Sequence, residues 1–335
     1  MISWVGHLRA TAIIGVILLH VAAASFINEP VGSMNWLSAN FYDSLSRWCV
    51  PLFVMISGTL LLDNEKNESI QEFYNKRASK ILIPTVAWTL IYLSWLTVKS
   101  FFKGIDVSDN FVKLILNGEI YYHLWYVYML VGLYAFTPFI RKLVISLAKK
   151  ELEILLFITF FLSISNEIVS IIFEIEDTYF LVKFLSYVPY FIFGHYIFKY
   201  PVRLKYLKLL SILLISFLCT FSFFWVSAAN ATSFQYYFYN YLSINVVVMS
   251  VTLFIIGSKF FENKKIGKIF SQIEKNSFGV YLIHPIYFEL SNQLIFNKLT
   301  LNDFLLIPLV VAWVLFLSTT TIFIIRKSYY LRKIV

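Results

Sequence analysis

Long apolar stretches separated by short polar ones dominate the chain. A transmembrane helix needs about 20 predominantly apolar residues. Ten segments of the sequence approach that length with few charges inside them, at residues 8–27, 46–62, 81–98, 122–140, 152–173, 180–198, 206–228, 237–258, 277–297 and 303–325. The predicted fold class is therefore all-α, a polytopic membrane helix bundle of about ten transmembrane helices.

The composition agrees with this pattern and excludes several classes of protein. Of the 335 residues, 59% are hydrophobic and 14% are charged, whereas a soluble domain averages ~25% charged residues. The chain is thus unlike a soluble enzyme or a disordered protein, and its two cysteines exclude a disulfide scaffold. No metal-binding motif is recognisable, so we expect no metal. The apolar segments are expected to contact membrane lipids.

The basic residues predict how the helices are oriented. The formal net charge is +9, and of the 28 Lys and Arg residues all but six fall on one side of the predicted membrane. The six on the other side are Arg47, Lys99, Lys103, Lys113, Lys183 and Lys298. Because basic loops stay in the cytoplasm, both termini are predicted to be cytoplasmic. The positive charge then reports topology, and we expect no nucleic-acid partner.

The first predicted span carries an arginine and a histidine, Arg9 and His20. In a helix this separation leaves the two side chains ~20° apart around the axis and ~16.5 Å apart along it. Ionisable side chains inside a membrane usually have a function. A guanidinium suits phosphate recognition, and an imidazole suits general-base catalysis. The structural alternative is an arginine that reaches the membrane surface and a histidine that packs between helices.

A second basic cluster, which contains Arg77 and Lys80, precedes the third predicted span. Residues three apart project from the same side of a helix. Together with Arg9 they would form a site for an anionic cofactor at the cytoplasmic side. The alternative is an ordinary basic flank that only sets orientation.

Basic and aromatic residues are also predicted at the outer side. Arg47 lies where basic residues are scarce, and it either binds a phosphate of the substrate or pairs with Asp43. His123, Trp125 and Tyr126 begin the fourth span. They form either an interfacial aromatic belt or a surface that stacks against sugar rings.

The ninth predicted span has a polar stripe that includes Tyr281 and His284, and Pro285 follows directly. These side chains form hydrogen bonds between helices or contact the substrate. Glu167 and Glu289 also lie inside predicted spans, and we expect both to face the bundle interior or an aqueous cavity.

Four segments, in order along the chain, resemble motifs of the acyltransferase 3 family of integral-membrane acyltransferases. Arg9 and His20 resemble an Arg-x10-His signature, and residues 50–58 resemble a Val-Pro-Leu-Phe-Phe-Met-Ile-Ser-Gly segment, with Val54 in place of the second Phe. Residues 122–126 resemble a His-Leu-Trp-aromatic motif and residues 277–284 a Ser-x-Gly-x-Tyr-x-x-His segment. The nearest likeness is to O-acetyltransferases of bacterial surface polysaccharides, such as that acting on enterobacterial common antigen. One departure is Lys80, where the family has the second arginine of an Arg-x-x-Arg motif.

The resemblance implies a single acyltransferase 3-like transmembrane domain over residues 1–335, in the inner (cytoplasmic) membrane of a bacterium. It implies transfer of an acetyl group from cytoplasmic acetyl-CoA to a hydroxyl of a cell-surface polysaccharide or its lipid-linked precursor. Catalysis would use His20, as general base or acyl relay, with Arg9. The CoA phosphates would bind Arg9, Arg77 and Lys80. The residues expected to contact substrate are Arg47, His123, Trp125, Tyr126, Tyr281 and His284.

The sequence leaves the acceptor sugar, the length of the acyl group and the oligomeric state open. A membrane transporter or flippase for a lipid-linked sugar is the alternative from another class, because ten spans and an aromatic outer mouth would suit it. No inverted repeat is detectable, and the spacing of Arg9 and His20 is about the reach of a pantetheine arm. Both observations favour the enzyme, and binding of acetyl-CoA to the purified protein distinguishes the two.

Overall fold

The computed structural model describes the chain apart from residues 1–2, 27–28, 64–67, 104–113, 115–117, 119, 176–179 and 233. Every regular element of the described chain is helical, which confirms the predicted all-α class. The α-helices are α1 (Ser3–Ser25), α2 (Met34–Ser46), α3 (Cys49–Leu61), α4 (Ile70–Arg77), α5 (Ile83–Lys103), α6 (Trp125–Ser146), α7 (Lys149–Ile172), α8 (Phe180–Lys183), α9 (Val188–Lys199), α10 (Tyr206–Ala229), α11 (Ile244–Phe260), α12 (Lys268–Leu294) and α13 (Asp303–Ile325). Lys113 and residue 27, the end of the first predicted span, lie outside the described residues.

Eight stretches of the described chain are long and apolar enough to cross a membrane. They are Ser3–Ser25, Met34–Leu61, Ile70–Phe101, Trp125–Ser146, Lys149–Ile172, Tyr206–Ala229, Gln235–Phe260 and Asp303–Ile325. The other two predicted spans are helical as well: 180–198 is divided between α8, a 3-10 turn and α9, and 277–297 begins inside the more polar α12. The protein is thus a multi-pass membrane protein, while the total of ten spans and the side of the termini stay predictions.

The second predicted span, 46–62, omitted all of α2 except its last residue, Ser46. This helix is polar, yet its side chains Asn40 and Ser44 are completely buried. The Tyr239 hydroxyl donates a hydrogen bond to Asn40 Oδ1 at 2.6 Å, and Ser44 donates to the same oxygen at 3.0 Å. Because these groups face protein rather than lipid, a search for apolar runs does not find them.

The first helix, α1, lies at the centre of the bundle. Of its 23 residues, 14 are buried, and it packs against α2, α3, α11, α12 and α13. In contrast, α7 and α10 expose large apolar side chains such as Phe157 and Leu207. Such faces are expected where a helix contacts lipid, since water-soluble proteins rarely leave large apolar patches exposed. Arg9 and His20 are therefore carried by an interior helix.

Glu289 joins three segments of the bundle. The Lys99 ammonium lies 2.9 and 3.0 Å from its two carboxylate oxygens, and Trp95 Nε1 donates to it at 3.2 Å. The Tyr121 hydroxyl donates a further hydrogen bond. This network fixes α5 and α12 to the segment that precedes α6, which carries His123.

Two glycines allow α3 and α9 to cross in backbone contact. A Cβ atom on Gly58 would lie 1.8 Å from the carbonyl oxygen of Phe191, and one on Gly194 would lie 1.9 Å from that of Met55. The Thr59 hydroxyl donates to the Gly194 carbonyl at 2.9 Å. Small residues and interhelical hydrogen bonds promote helix association in membranes, so this crossing holds α3 in place.

We expect Gly58→Ala to lower the melting temperature of the detergent-solubilised protein. Overpacking typically costs ~1–3 kcal/mol, and here the added methyl group would meet backbone rather than a side chain that can move aside. Gly267→Ala is the matched control, because nothing lies within 4 Å of the Cβ position of Gly267. A Gly58→Ala protein as stable as the control would contradict the close crossing.

Candidate active site

Two cavities lie along α1. The first, which we call the Arg9 cavity, has a volume of about 210 Å³. Its polar lining comes from Arg9, Ser57, Tyr126, Tyr134, Glu274, Lys275, Ser277 and Tyr281. The second, the aromatic cavity, has a volume of about 790 Å³ and includes Ala23, near the other end of α1. The rings and polar groups that line it include Trp36, Arg47, Trp125, Glu167, Lys183, Tyr187, Tyr239, Asn240 and Tyr241.

Arg9 is held by a carboxylate that sequence reasoning did not assign to it. Its Nη1 atom donates to Glu274 Oε1 at 2.7 Å, and the side chains of Arg9 and Glu274 are 27% and 6% exposed. The buried carboxylate fixes one side of the guanidinium and leaves the remaining N–H groups toward the cavity. The signal for this pair is weak in the sequence, because the two residues lie 265 positions apart.

The structure separates Arg77 from Lys80. Arg77 lines a third cavity of about 200 Å³, the Arg77 groove, which shares Ile81 and Tyr134 with the Arg9 cavity. Its guanidinium lies 5.9 Å from the ring of Tyr134, and its Nε atom is buried without a hydrogen-bond partner among the described residues. Lys80 is exposed and lines none of the three cavities.

A π-helical turn over Ala78–Leu82 accounts for this separation. Its i→i+5 hydrogen bonds differ from the α-helical pattern, so positions 77 and 80 no longer share the face that α-helical spacing predicts. Such turns are frequent at functional sites. Of the two residues, Arg77 is the one beside the Arg9 cavity.

Three histidines, one of them His20 on α1, meet inside the bundle, and none of the three lines the cavities described above. The ring of His20 lies 5.3 Å from that of His284 and 4.8 Å from that of Tyr122. The ring of His123 lies 5.5 Å from His284. No group of three or more His, Cys, Asp or Glu in the described chain is arranged to hold a metal ion. The structure thus brings together residues that the sequence places in three separate predicted spans.

The aromatic residues at the start of α6 divide the two cavities. Tyr126 lines the Arg9 cavity, whereas the preceding Trp125 lines the aromatic cavity. The Tyr126 ring lies 5.3 Å from that of Tyr281, whose hydroxyl donates to the backbone carbonyl of His123. On the other side, the Trp125 ring stacks on Tyr241 at 5.8 Å. These rings form a partition between the cavities rather than an exposed belt.

Arg47 pairs with Asp43, one of the two alternatives for this residue. Its Nη2 and Nε atoms lie 2.7 and 2.6 Å from the two carboxylate oxygens of Asp43. It also donates to the backbone carbonyl of Tyr239 at 3.0 Å and lies 4.0 Å above that ring. Arg47 nevertheless lines the aromatic cavity, so its contact with substrate stays a prediction.

The far wall of the aromatic cavity was predicted only in part, since Glu167 was expected to face the interior or a cavity while Lys183 and Asn240 were not assigned to a site. Glu167 accepts a hydrogen bond from Asn240, and the Lys183 ammonium lies 5.3 Å above the ring of Trp125. All of these residues line the cavity. A charge inside an apolar run is the one signal that pointed to Glu167 and Lys183, and Asn240 had none.

Comparison with known protein families gives a match over almost the whole chain. An acyltransferase domain family, acyltransferase 3, matches residues 2–326. Neither the curated proteins nor the solved structures gave a match. The family match covers both cavities and all three histidines, and it agrees with the four motifs found in the sequence. The chain belongs to the acyltransferase 3 family of membrane acyltransferases.

Proposed function

We propose that the protein transfers an acetyl group from acetyl-CoA, bound at the Arg9 cavity, to a hydroxyl of a sugar in the aromatic cavity. The acceptor is a cell-surface polysaccharide or its lipid-linked precursor, and the membrane is the inner membrane of a bacterium. The observation that carries this proposal is the position of His20. Along α1 it follows Arg9, which lines one cavity, and lies one turn before Ala23, which lines the other.

The Arg9 end of the bundle has the chemistry to bind the donor. Guanidinium groups bind phosphates through several N–H donors at once, and Arg9 and Arg77 lie at neighbouring cavities. From Arg9 the axial rise to His20 is ~16.5 Å, about the reach of an extended pantetheine arm. The phosphates would stay beside Arg9 while the thioester reaches His20.

The aromatic cavity has the chemistry to bind a sugar. Its volume of about 790 Å³ lies within the ~300–1,000 Å³ range of small-molecule sites. The ring of Tyr236, which is 70% exposed, offers a stacking surface, and Glu167, Asn240 and Lys183 offer hydrogen bonds. Binding of the acceptor here would bring one of its hydroxyls toward His20.

The reaction requires one base. A ring nitrogen of His20 takes the proton of the acceptor hydroxyl, and the oxygen attacks the thioester carbonyl carbon. The C–S bond breaks, and the CoA thiolate leaves and receives the proton from His20. In the relay alternative the His20 nitrogen first attacks the thioester, and the hydroxyl then attacks the acetyl-imidazole. Label from [14C]acetyl-CoA would remain on the protein without acceptor only in the relay.

We expect His20→Ala to lower kcat by at least ~100-fold, the usual size of a general-base contribution, with little change in KM for acetyl-CoA. The assay follows 14C-acetyl from acetyl-CoA into glycan extracted from cells that lack the enzyme, with purified protein in proteoliposomes. His7→Gln is the matched control, because His7 lies on the same helix but stacks on Phe261, at 4.3 Å, and has no ring contact with the histidines around His20. A folded His20→Ala protein with the wild-type rate would exclude the catalytic role.

We expect Arg9→Gln and Arg77→Gln each to weaken acetyl-CoA binding by roughly tenfold or more, since a hydrogen bond to a charged group contributes ~1.5–3 kcal/mol. Lys80→Gln should weaken binding less, because the Lys80 side chain is exposed and lines none of the cavities. Titration calorimetry of the purified protein with acetyl-CoA measures all three. Unchanged affinity in both arginine variants would place the donor elsewhere.

Two further variants complete this test. Glu274→Gln breaks the ion pair but keeps Arg9, so this variant should retain acetyl-CoA binding. It shows whether weaker binding in Arg9→Gln comes from loss of the guanidinium or from loss of the ion pair. Lys142→Gln removes an exposed lysine outside the cavities and should bind as wild type. Weak binding in the Lys142→Gln protein would indicate a general charge effect instead of a site.

A further inference from the structure

His284 is locked in place by the proline that follows it. In an α-helix the N–H of residue 285 would donate to the carbonyl of Tyr281, but Pro285 has no N–H. The Nδ1 atom of His284 lies 2.8 Å from that carbonyl oxygen and 3.2 Å from the carbonyl oxygen of Val280. Because carbonyl oxygens only accept hydrogen bonds, Nδ1 carries the ring proton. The other nitrogen, Nε2, is then a bare acceptor.

This acceptor has no partner of its own within the described structure. His284 is completely buried, and its Nε2 atom makes no hydrogen bond. An unsatisfied buried polar atom is costly, so such an atom at a candidate active site points to a partner acquired during the reaction.

His20 is the neighbour that fits. Its ring centre lies 5.3 Å from that of His284, with the planes 24° apart. An N–H···N hydrogen bond of ~2.9 Å places two imidazole centres about 5 Å apart, so the observed separation allows such a bond once the rings turn edge to edge. His123 lies farther away, at 5.5 Å, and belongs to the segment before α6 instead of α1, the helix that carries the proposed base.

We propose that His284 Nε2 accepts the N–H of His20 and thereby positions it, a role that rests on the proposed function of His20 as base. One nitrogen of His20 would hold the proton shared with His284, and the other would face the acceptor hydroxyl. After proton transfer, His284 would stabilise the imidazolium of His20. An orienting group behind the base is a general feature of catalytic histidines. Here the neutral imidazole of His284 would be that orienting group, and it places no further charge in the membrane.

The first test compares two substitutions of His284. Asn keeps a donor near Nδ1 but offers nothing at Nε2, whereas Gln can place its carbonyl oxygen near Nε2. We expect His284→Asn to lower kcat by ~100-fold or more, with KM for acetyl-CoA within about threefold of wild type. His284→Gln should retain at least about tenfold more activity than His284→Asn. His7→Asn is the control for the substitution itself, because His7 stacks on Phe261 and has no ring contact with His20 or His284.

The second test reads the tautomer directly. Solid-state NMR of 15N-histidine-labelled wild-type protein in lipid should show His284 protonated at Nδ1 and not at Nε2, with His284→Gln assigning the signal. Pro285→Ala returns an N–H to the Tyr281 carbonyl, so a population protonated at Nε2 should appear.

The outcomes separate the two proposals. Absence of acetyl transfer by the wild-type protein overturns the proposed function, and with it the role of His284. Transfer by wild type together with wild-type kcat in His284→Asn overturns only the positioning role. A wild-type His284 protonated at Nε2 does the same, whatever the activity.

Discussion

Water does not reach the middle of a bilayer, so polar groups there must be satisfied by the protein itself. This constraint organises the bundle. Arg9 pairs with Glu274, and Lys99 pairs with Glu289, so in each case an ion pair joins helices that are distant in sequence. The buried Asn40 does the same through hydrogen bonds. The polar residues of the spans are therefore the contacts that fix one helix to another.

Buried polar atoms that have no hydrogen-bond partner in such a bundle point to sites where a ligand or another side chain binds during the reaction. Nε2 of His284 and Nε of Arg77 are buried and form no hydrogen bond among the described residues. Each unsatisfied atom costs ~1–3 kcal/mol, and each lies beside a region that we assign to the reaction. In the proposed reaction, the N–H of His20 would be the partner of His284 Nε2, and a phosphate of the donor would be the partner of Arg77 Nε. Forming these two hydrogen bonds would remove the cost of the unsatisfied atoms and so favour binding of the substrates.

The arrangement of cavities along α1 suits a transfer between two sides of a membrane. Trp125 and Tyr126 are consecutive in sequence but line different cavities, so their rings lie between the Arg9 cavity and the aromatic cavity. A partition of this kind would keep water in the larger cavity away from a thioester bound at the Arg9 cavity, as in the proposed reaction. His20, which lies between Arg9 and Ala23 on one helix, is the residue that both substrates would reach.

The sequence by itself determined the all-α class, the multi-pass character and the presence of Arg9 and His20 on one helix, because apolar runs and helical periodicity are local properties. It could not find α2, whose polar side chains are satisfied by partners such as Tyr239, far along the chain. Nor could it choose Arg77 over Lys80, since a π-helical turn changes their relative direction. The tertiary structure alone brought the three histidines together and set His284 against His20. Those contacts join helices that are remote in sequence, and their geometry depends on how the whole bundle packs.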